Sequence, residues 1–256
     1  METILEVKHL KKTFGHRTVL EDVSFSLNRG EVLGIVGRSG CGKSTMARII
    51  ARLLDTDGGE IILCGRDITK ATGKALGEAY ENMQMIFQVP DDSFNPRKTL
   101  GWSIGEAMRN RGYDKASIEL RIDELLTVVG LNPSYKYRYP HEVSGGECQR
   151  AAISRAIALS PTLLICDEAP SALDVTVQAQ IAALLKQMTE ELSMACLFIT
   201  HDLALLQSIA DRVIVMAEGR IVEENTPENL IKNPVSQYTK ELIAADFFRM
   251  PRDRII

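Results

Sequence analysis

Val32-Leu33-Gly34-Ile35-Val36-Gly37-Arg38-Ser39-Gly40-Cys41-Gly42-Lys43-Ser44-Thr45 is the stretch that decides the fold. Residues 32–36 form a short, continuously apolar run, as expected of a strand buried on both faces of a parallel sheet. Residues 37–45 fit the pattern GxxxxGK(S/T). After Lys43 the apolar residues Met46, Ile49, Ile50, Leu53 and Leu54 recur at helical spacing. A strand before and a helix after is the context that gives this pattern its meaning as a phosphate-binding loop. The glycines let the backbone curl so that successive N–H groups converge on phosphate oxygens. The helix N-terminus adds favourable partial charge. Lys43 is placed to reach the β- and γ-phosphates, and Ser44 to ligate Mg²⁺.

On the N-terminal side, residues 4–8 read as a strand. Val23, Phe25 and Leu27 alternate with polar residues, the period of a half-buried strand, before the turn Asn28-Arg29-Gly30. On the C-terminal side, Gly58-Gly59 leads into a strand at 60–63, and 83–87 is a further apolar run. The chain turns polar from 90 to 98. Ile118, Ile122, Leu125, Leu126 and Val129 then mark one face of a helix. Residues 132–142 read as a loop rich in Pro and Tyr. Helix and strand alternate afterwards: helices at 147–159, 175–191 and 202–210, strands at 163–166, 196–200 and 213–216. Alternation with short connections implies a parallel sheet covered by helices. The helical stretch of about 90–160 interrupts it and reads as an inserted subdomain. Residues 1–89 and 161–256 are left as a nucleotide-binding core within a single domain.

Composition agrees with a folded domain. The chain has 256 residues, and its 45% hydrophobic content suffices for a sizeable core. A net charge of −4 offers no electrostatic footprint for nucleic acid. No apolar run approaches the roughly 18 residues of a membrane span. Met1-Glu2-Thr3-Ile4 lacks the features of a signal peptide, so a cytosolic chain is expected. The five cysteines, Cys41, Cys64, Cys148, Cys166 and Cys196, show no CxxC spacing and read as reduced thiols.

Leu163-Leu164-Ile165-Cys166-Asp167-Glu168 is an apolar strand ending in two acids. Ligand sites in parallel sheets lie at the carboxyl ends of strands. Asp167 is therefore placed to hold Mg²⁺ or its water shell, and Glu168 to polarise an attacking water. His201 follows the strand at 196–200, and Gln88 ends the run at 83–87, so both can face the same edge. Val143-Ser144-Gly145-Gly146-Glu147-Cys148-Gln149-Arg150 opens a helix and offers a second anion-binding N-terminus. Two phosphate-binding ends beside a single lysine loop suit a nucleotide held between two copies.

These motifs, in this order, resemble the ATP-binding-cassette (ABC) ATPase family over essentially the whole chain. The resemblance implies a phosphate-loop NTPase α/β fold, with a RecA-like parallel-sheet core, an N-terminal antiparallel β subdomain and an inserted helical subdomain. It matches Gly37, Arg38, Ser39, Gly40, Cys41, Gly42, Lys43, Ser44 and Thr45 to the Walker A loop. Gln88 matches the Q-loop residue near Mg²⁺, and Ser144, Gly145, Gly146 and Glu147 match the signature. Asp167 with Glu168 matches Walker B, Ser171-Ala172-Leu173-Asp174 the D-loop, and His201 the switch histidine. Phe14 stands at the position of the aromatic that stacks on adenine. The resemblance implies ATP and Mg²⁺ as ligands and a head-to-tail dimer with an identical or paralogous cassette, so that Cys41 and Cys148 would face the nucleotide from opposite subunits. It also implies integral membrane permease subunits docked near 88–105, a solute-binding protein acting indirectly, and a position at the cytoplasmic face of the membrane.

Ser93-Phe94-Asn95-Pro96-Arg97, Tyr139-Pro140-His141-Glu142, Asp174-Val175-Thr176-Val177-Gln178-Ala179-Gln180 and Asn233-Pro234 with Tyr238-Thr239 are similar to elements of dipeptide, oligopeptide and nickel importers. Glu147 replaces the usual Gln, and Ser236-Gln237 replaces a usual His-Pro. The tail carries no cysteine cluster, which resembles the nickel-type members somewhat more. DNA-repair ATPases of the same fold carry long coiled coils between the two motifs, and translation types usually carry two cassettes per chain. Neither pattern is present here. A small-molecule kinase on a phosphate-loop fold would have no use for residues 144–147. Lys43→Ala should abolish ATP hydrolysis, measured as phosphate release, because it removes the charge that clamps the phosphates.

Overall fold

In the computed structural model, which describes residues 2–87, 94–168 and 175–247, the chain opens with two long antiparallel strands. β1 (Thr3–Phe14) and β2 (Arg17–Asn28) pair from Thr3↔Asn28 to Phe14↔Arg17. The run at 32–36 is strand β3 (Val32–Val36), and α1 (Lys43–Ile50) follows the phosphate loop. β4 (Gly58–Leu63) and the short β5 (Arg66–Asp67) complete a four-stranded sheet in the order β2-β1-β4-β5. Helix α2 (Gly73–Asn82) then leads into β6 (Met83–Ile86).

The expected insert is helical. It comprises α3 (Leu100–Ile104), α4 (Glu106–Asn110), α5 (Lys115–Val128) and α6 (Gly145–Ala156). α5 starts where the Asp114 carboxylate accepts the Ser117 N–H at 3.0 Å, an N-cap that satisfies an otherwise orphan donor. Its buried face is Ile118, Ile122, Leu125 and Leu126, the spacing read from the sequence. The segment 132–142, expected as a loop, contains two 3-10 turns, Pro133–Tyr137 and Pro140–Glu142.

The remaining elements are β7 (Leu163–Asp167), α7 (Val175–Glu191), β8 (Ala195–Ile199), α8 (Leu203–Ile209), β9 (Arg212–Ala217), β10 (Arg220–Asn225), α9 (Pro227–Lys232) and α10 (Gln237–Phe247). The second sheet runs β10-β9-β3-β8-β7-β6, parallel throughout except for β10 at its edge. β5, β10, α2, α9 and α10 had no counterpart in the sequence reading. The first two are short or polar edge strands, and the helices were not singled out by a long apolar periodicity.

The central strands divide their side chains strictly by parity. Val32, Val36, Leu164, Cys166, Cys196, Phe198, Val213 and Val215 face one apolar cluster, shared with α5, α6, α7 and α8. Leu33, Ile35, Leu163, Ile165, Leu197, Ile199, Ile214 and Met216 face the other, which α1 and the four-stranded sheet close. The parallel strands are therefore covered on both faces, which explains their continuous apolar runs. Phe198, on the central strand β8, is fully buried. Phe198→Ala should lower unfolding free energy by about 3–5 kcal/mol, the range for emptying a large buried aromatic site, measured by urea denaturation.

Candidate functional site

Because β3, β7 and β8 are parallel, their carboxyl ends meet at one edge. Ile35 and Asp167 both lie in register with Ile199. The loop after β3, the acids after β7 and the residues after β8 are thereby brought together from three distant parts of the chain.

The phosphate loop is held in a tight curl. Gly40 and Gly42 have positive φ of 79° and 110°. Gly37 allows a different economy: a Cβ there would lie 2.2 Å from the Met216 carbonyl oxygen and 2.8 Å from Cys41 Sγ. The loop is also fastened to the β9–β10 turn, where Gly219 N–H donates to the Cys41 carbonyl at 3.0 Å. The Lys43 ammonium is buried and folds back over the loop, donating to the carbonyls of Gly37 at 2.7 Å and Arg38 at 3.3 Å. A lysine so placed needs little motion to exchange carbonyl oxygens for phosphate oxygens.

The Ser44 hydroxyl donates to Asp167 Oδ1 at 2.9 Å. Burial pushes the Asp167 carboxyl above the usual carboxylate range; the neighbouring Glu168 charge adds to the rise, and the Ser44 bond opposes it. A hydroxyl and a buried carboxylate, side by side, form the oxygen donor set that a hard cation such as Mg²⁺ takes, and the residues fit that ion.

Glu168 adopts a left-handed backbone, φ 49°, unusual for a residue other than glycine. Its N–H donates to the Ile199 carbonyl at 2.9 Å, so the chain turns sharply at the strand end. Glu168 Oε1 comes within 3.9 Å of His201 Nδ1. The loop residues Ser39, Gly40, Gly42, Lys43, Ser44 and Thr45 line a cleft of about 450 Å³ together with Phe14, Arg17, Val19 and Glu168. Phe14, nearly half exposed at the end of β1, presents a ring at the cleft wall.

The structure thus brings Phe14, residues 39–45, Asp167, Glu168 and His201 into one neighbourhood. Ser144, Gly145, Gly146 and Glu147 do not line the cleft; they form the N-terminus of α6. Ser144 caps that helix, accepting the Glu147 N–H at 3.4 Å, while Glu147 Oε2 accepts the Ser144 N–H at 2.8 Å. The Glu147 carboxylate also accepts the Tyr135 hydroxyl, and these bonds hold it below the usual carboxylate range, the Tyr135 bond foremost. An acid at this position is thereby structurally useful, since Glu closes a capping box as Gln would. Gln88 and Asp174 lie outside the described residues, as do Ser171, Ala172 and Leu173.

Two thiols are placed differently from expectation. Cys148 is fully buried and turns into the core on the helical side of the sheet. Cys41 is also buried, absent from the cleft lining, and burial raises its thiol pKa. Neither thiol is exposed at the cleft: Cys41, in the loop, packs into the apolar cluster beneath α1, and Cys148, in the first turn of α6, packs into the cluster on the other face of the sheet. In the other direction, Arg17, Val19 and Tyr135 were not singled out from the sequence. Phe14↔Arg17 pairing across the β1–β2 turn is the tertiary fact that brings Arg17 to the cleft.

A family model described as ABC transporter matches residues 20–171, which hold the loop, the Ser144 helix and the two acids. The chain is 44% identical over 251 residues to the oligopeptide transport ATP-binding protein OppF of Bacillus subtilis, covering 95% of this chain and 82% of that protein. The chain belongs to the ABC transporter family. It is an ATP-binding, ATP-hydrolysing subunit of that family. Among solved structures it is similar to the ABC subunit cbiO1 of Clostridium perfringens, described as part of the complex cbiONQ, with a TM-score of 0.84 and 27% identity over 98% of this chain and 97% of that one. It also resembles an ATP-binding cassette solved as a dimer in a post-hydrolysis state with ADP and Pi, with a TM-score of 0.80 and 25% identity over 88% of this chain and 99% of that one. Among the described residues no helix is long and apolar enough to cross a membrane.

Asp167 exposes the cost of the ABC site. Its folded pKa lies above the unfolded value, so wherever the acid is ionised it subtracts from native stability. Asp167→Asn keeps an oxygen acceptor for Ser44 and removes the charge. It should raise the melting temperature of the nucleotide-free protein, which differential scanning fluorimetry can check.

Proposed function

We propose that this chain powers import of peptides by a membrane transporter, with ATP bound in the Phe14–Lys43 cleft and hydrolysed at Glu168. The single observation that carries the reading is the convergence of Lys43, Ser44, Asp167 and Glu168 at one sheet edge, with Ser44 and Asp167 joined at 2.9 Å. Lys43 and the loop N–H groups bind the phosphates. Phe14 stacks on the base, and Arg17 adds positive charge at the cleft. Ser44 and Asp167, with Gln88, would hold Mg²⁺, which when bound would supply charge neutralisation at the phosphates. Glu168 accepts a hydrogen bond from the attacking water and takes its proton. His201, 3.9 Å from Glu168, orients that carboxylate and reaches toward the transferred phosphoryl group.

Ser144, Gly145, Gly146 and Glu147 serve a second cassette rather than their own. The exposure of Ser144 and Gly145, and the absence of all four from their own cleft lining, support a head-to-tail pair in which each nucleotide lies between one Walker A loop and the opposing α6 N-terminus; the sequence resemblance assigns Asp174 to the same junction. The dimeric form of the similar cassette with ADP and Pi supports such pairing. ATP can favour the closed pair only through contacts that exist there and not in the open pair. The α6 N-terminus supplies such contacts.

The core of residues 1–89 and 161–256 and the helical insert meet at a cleft of about 380 Å³ lined by Leu53, Tyr80, Met85, Phe87, Ala107 and Arg155, among others. Its apolar rim, which includes Phe87, suits a short helical segment of a permease subunit, so that closure of the cassettes moves the membrane partner. On this reading the chain works at the cytoplasmic face of the membrane. The peptide cargo is supported by the name of the Bacillus subtilis relative and by the sequence elements at 93–97, 139–142 and 233–239.

Glu168→Gln tests the mechanism. Hydrolysis should fall by about 10²–10⁴-fold, the contribution of a positioned general base, while ATP binding persists. Size-exclusion chromatography should show an ATP-dependent dimer in this variant; a monomer at saturating ATP would overturn the sandwich reading.

A further inference from the structure

The element Asn233-Pro234 to Thr239 was singled out by its sequence and has no part in the chemistry above. In the fold it touches the phosphate loop. The Arg38 backbone N–H donates to the Tyr238 hydroxyl at 2.9 Å, across 200 residues of chain. The Arg38 guanidinium lies 5.4 Å from the centroid of the Tyr238 ring and 3.5 Å from the Glu241 carboxylate. That ion pair is half exposed on both sides and adds little by itself. The hydroxyl–backbone bond is the specific contact.

Arg38 is a strategic place to hold. Its carbonyl accepts the Cys41 N–H at 3.3 Å and the Lys43 ammonium at 3.3 Å. The peptide groups of this residue therefore join the tail, the turn of the loop and the lysine that must reach the phosphates. Arg38 does not line the cleft, whereas Ser39 and Gly40 do. Its N–H is engaged outside the phosphate cradle.

The tail that provides the hydroxyl is itself anchored. Leu242 and Ile243 bury one side of α10 in the core. Ahead of the helix, Glu223 on β10 is buried and accepts the N–H groups of Val235 and Ser236, each at 2.9 Å. Ser236 Oγ in turn accepts the Thr239 N–H at 3.0 Å, and Thr239 is fully buried. Burial pushes the Glu223 carboxyl up, and the bonds from Thr239, Val235 and Ser236 outweigh it, leaving the acid below the usual range. An ionised, fully engaged carboxylate of this kind fixes the start of α10, and with it the direction of Tyr238.

We propose that Tyr238 is a positioning residue for ATP binding: through its hydroxyl, the anchored C-terminal helix pre-shapes the phosphate loop at Arg38. A loop already held in its curl loses less conformational freedom when the phosphates arrive, so affinity rises without any new contact to the nucleotide. Because Tyr238 touches no reacting atom, its effect falls on binding and not on the chemical step.

This inference rests on the phosphate loop being the ATP site, and the test separates the two. ATP affinity is measured by calorimetry on the full chain, and KM and kcat by phosphate release. Wild type that binds ATP beside Lys43→Ala that does not secures the site; failure there overturns the site assignment and, with it, any role for Tyr238 in ATP binding. With the site secured, Tyr238→Phe should weaken Kd and raise KM about three- to tenfold, the size of one lost hydrogen bond, with kcat within about twofold of wild type. Unchanged Kd and KM, tighter binding, or a fall in kcat at constant KM would each overturn the proposal. Should Tyr238→Phe lose its fold, Glu223→Gln, which loosens the anchor and leaves the tyrosine in place, is read by the same criteria.

Discussion

A hydrogen bond of 2.9 Å between Ser44 and Asp167 spans 123 residues of chain and joins the helix after β3 to the end of β7. Nothing local can make it. It exists because β3 and β7 both pair in parallel with β8, so that their carboxyl ends stop at the same edge in fixed register. The apolar clusters on the two faces hold that register, since a slip by one residue would turn every buried side chain to the wrong face. The site is thus a consequence of the sheet, and its precision is the precision of the core.

The site costs stability that the core supplies. A buried acid beside a second acid, a lysine turned into backbone carbonyls and a left-handed Glu168 are each unfavourable in isolation. They persist where the surrounding structure over-determines them: Glu168 N–H on Ile199, Gly219 N–H on Cys41, and Arg38 N–H on Tyr238. The fastenings come from three different places in the fold: strand β8, the β9–β10 turn and helix α10. The phosphate loop is therefore shaped from outside as much as by its own glycines.

Much of this could be read in advance. Continuous apolar runs at 32–36 and 163–166 announced strands covered on both faces, and glycine spacing announced the loop. Elements with one polar face escaped notice. β10, with Glu223, Glu224 and Asn225, reads as a polar stretch because it is an edge strand whose buried acid serves the tail. The burial of the two thiols near the motifs could not be read in advance, because position within a motif does not give the direction of a side chain. Arg17 and Tyr238 carry no motif signal toward the cleft or the loop. Their roles arise from pairing across a turn and from docking of the last helix.

The sequence by itself determined the chemistry and its order along the chain: a lysine loop after a buried strand, two acids after another, and a second glycine-rich helix start. Those features are local, written in spacing and residue type. Only the tertiary structure decided which of them share a cleft. It placed Phe14, Lys43, Ser44, Asp167 and Glu168 together, left Ser144–Glu147 at a separate exposed helix end, and brought Tyr238 to Arg38. The reason is physical. Distances between residues far apart in the chain are set by strand register and by the packing of buried faces, and these are properties of the whole fold.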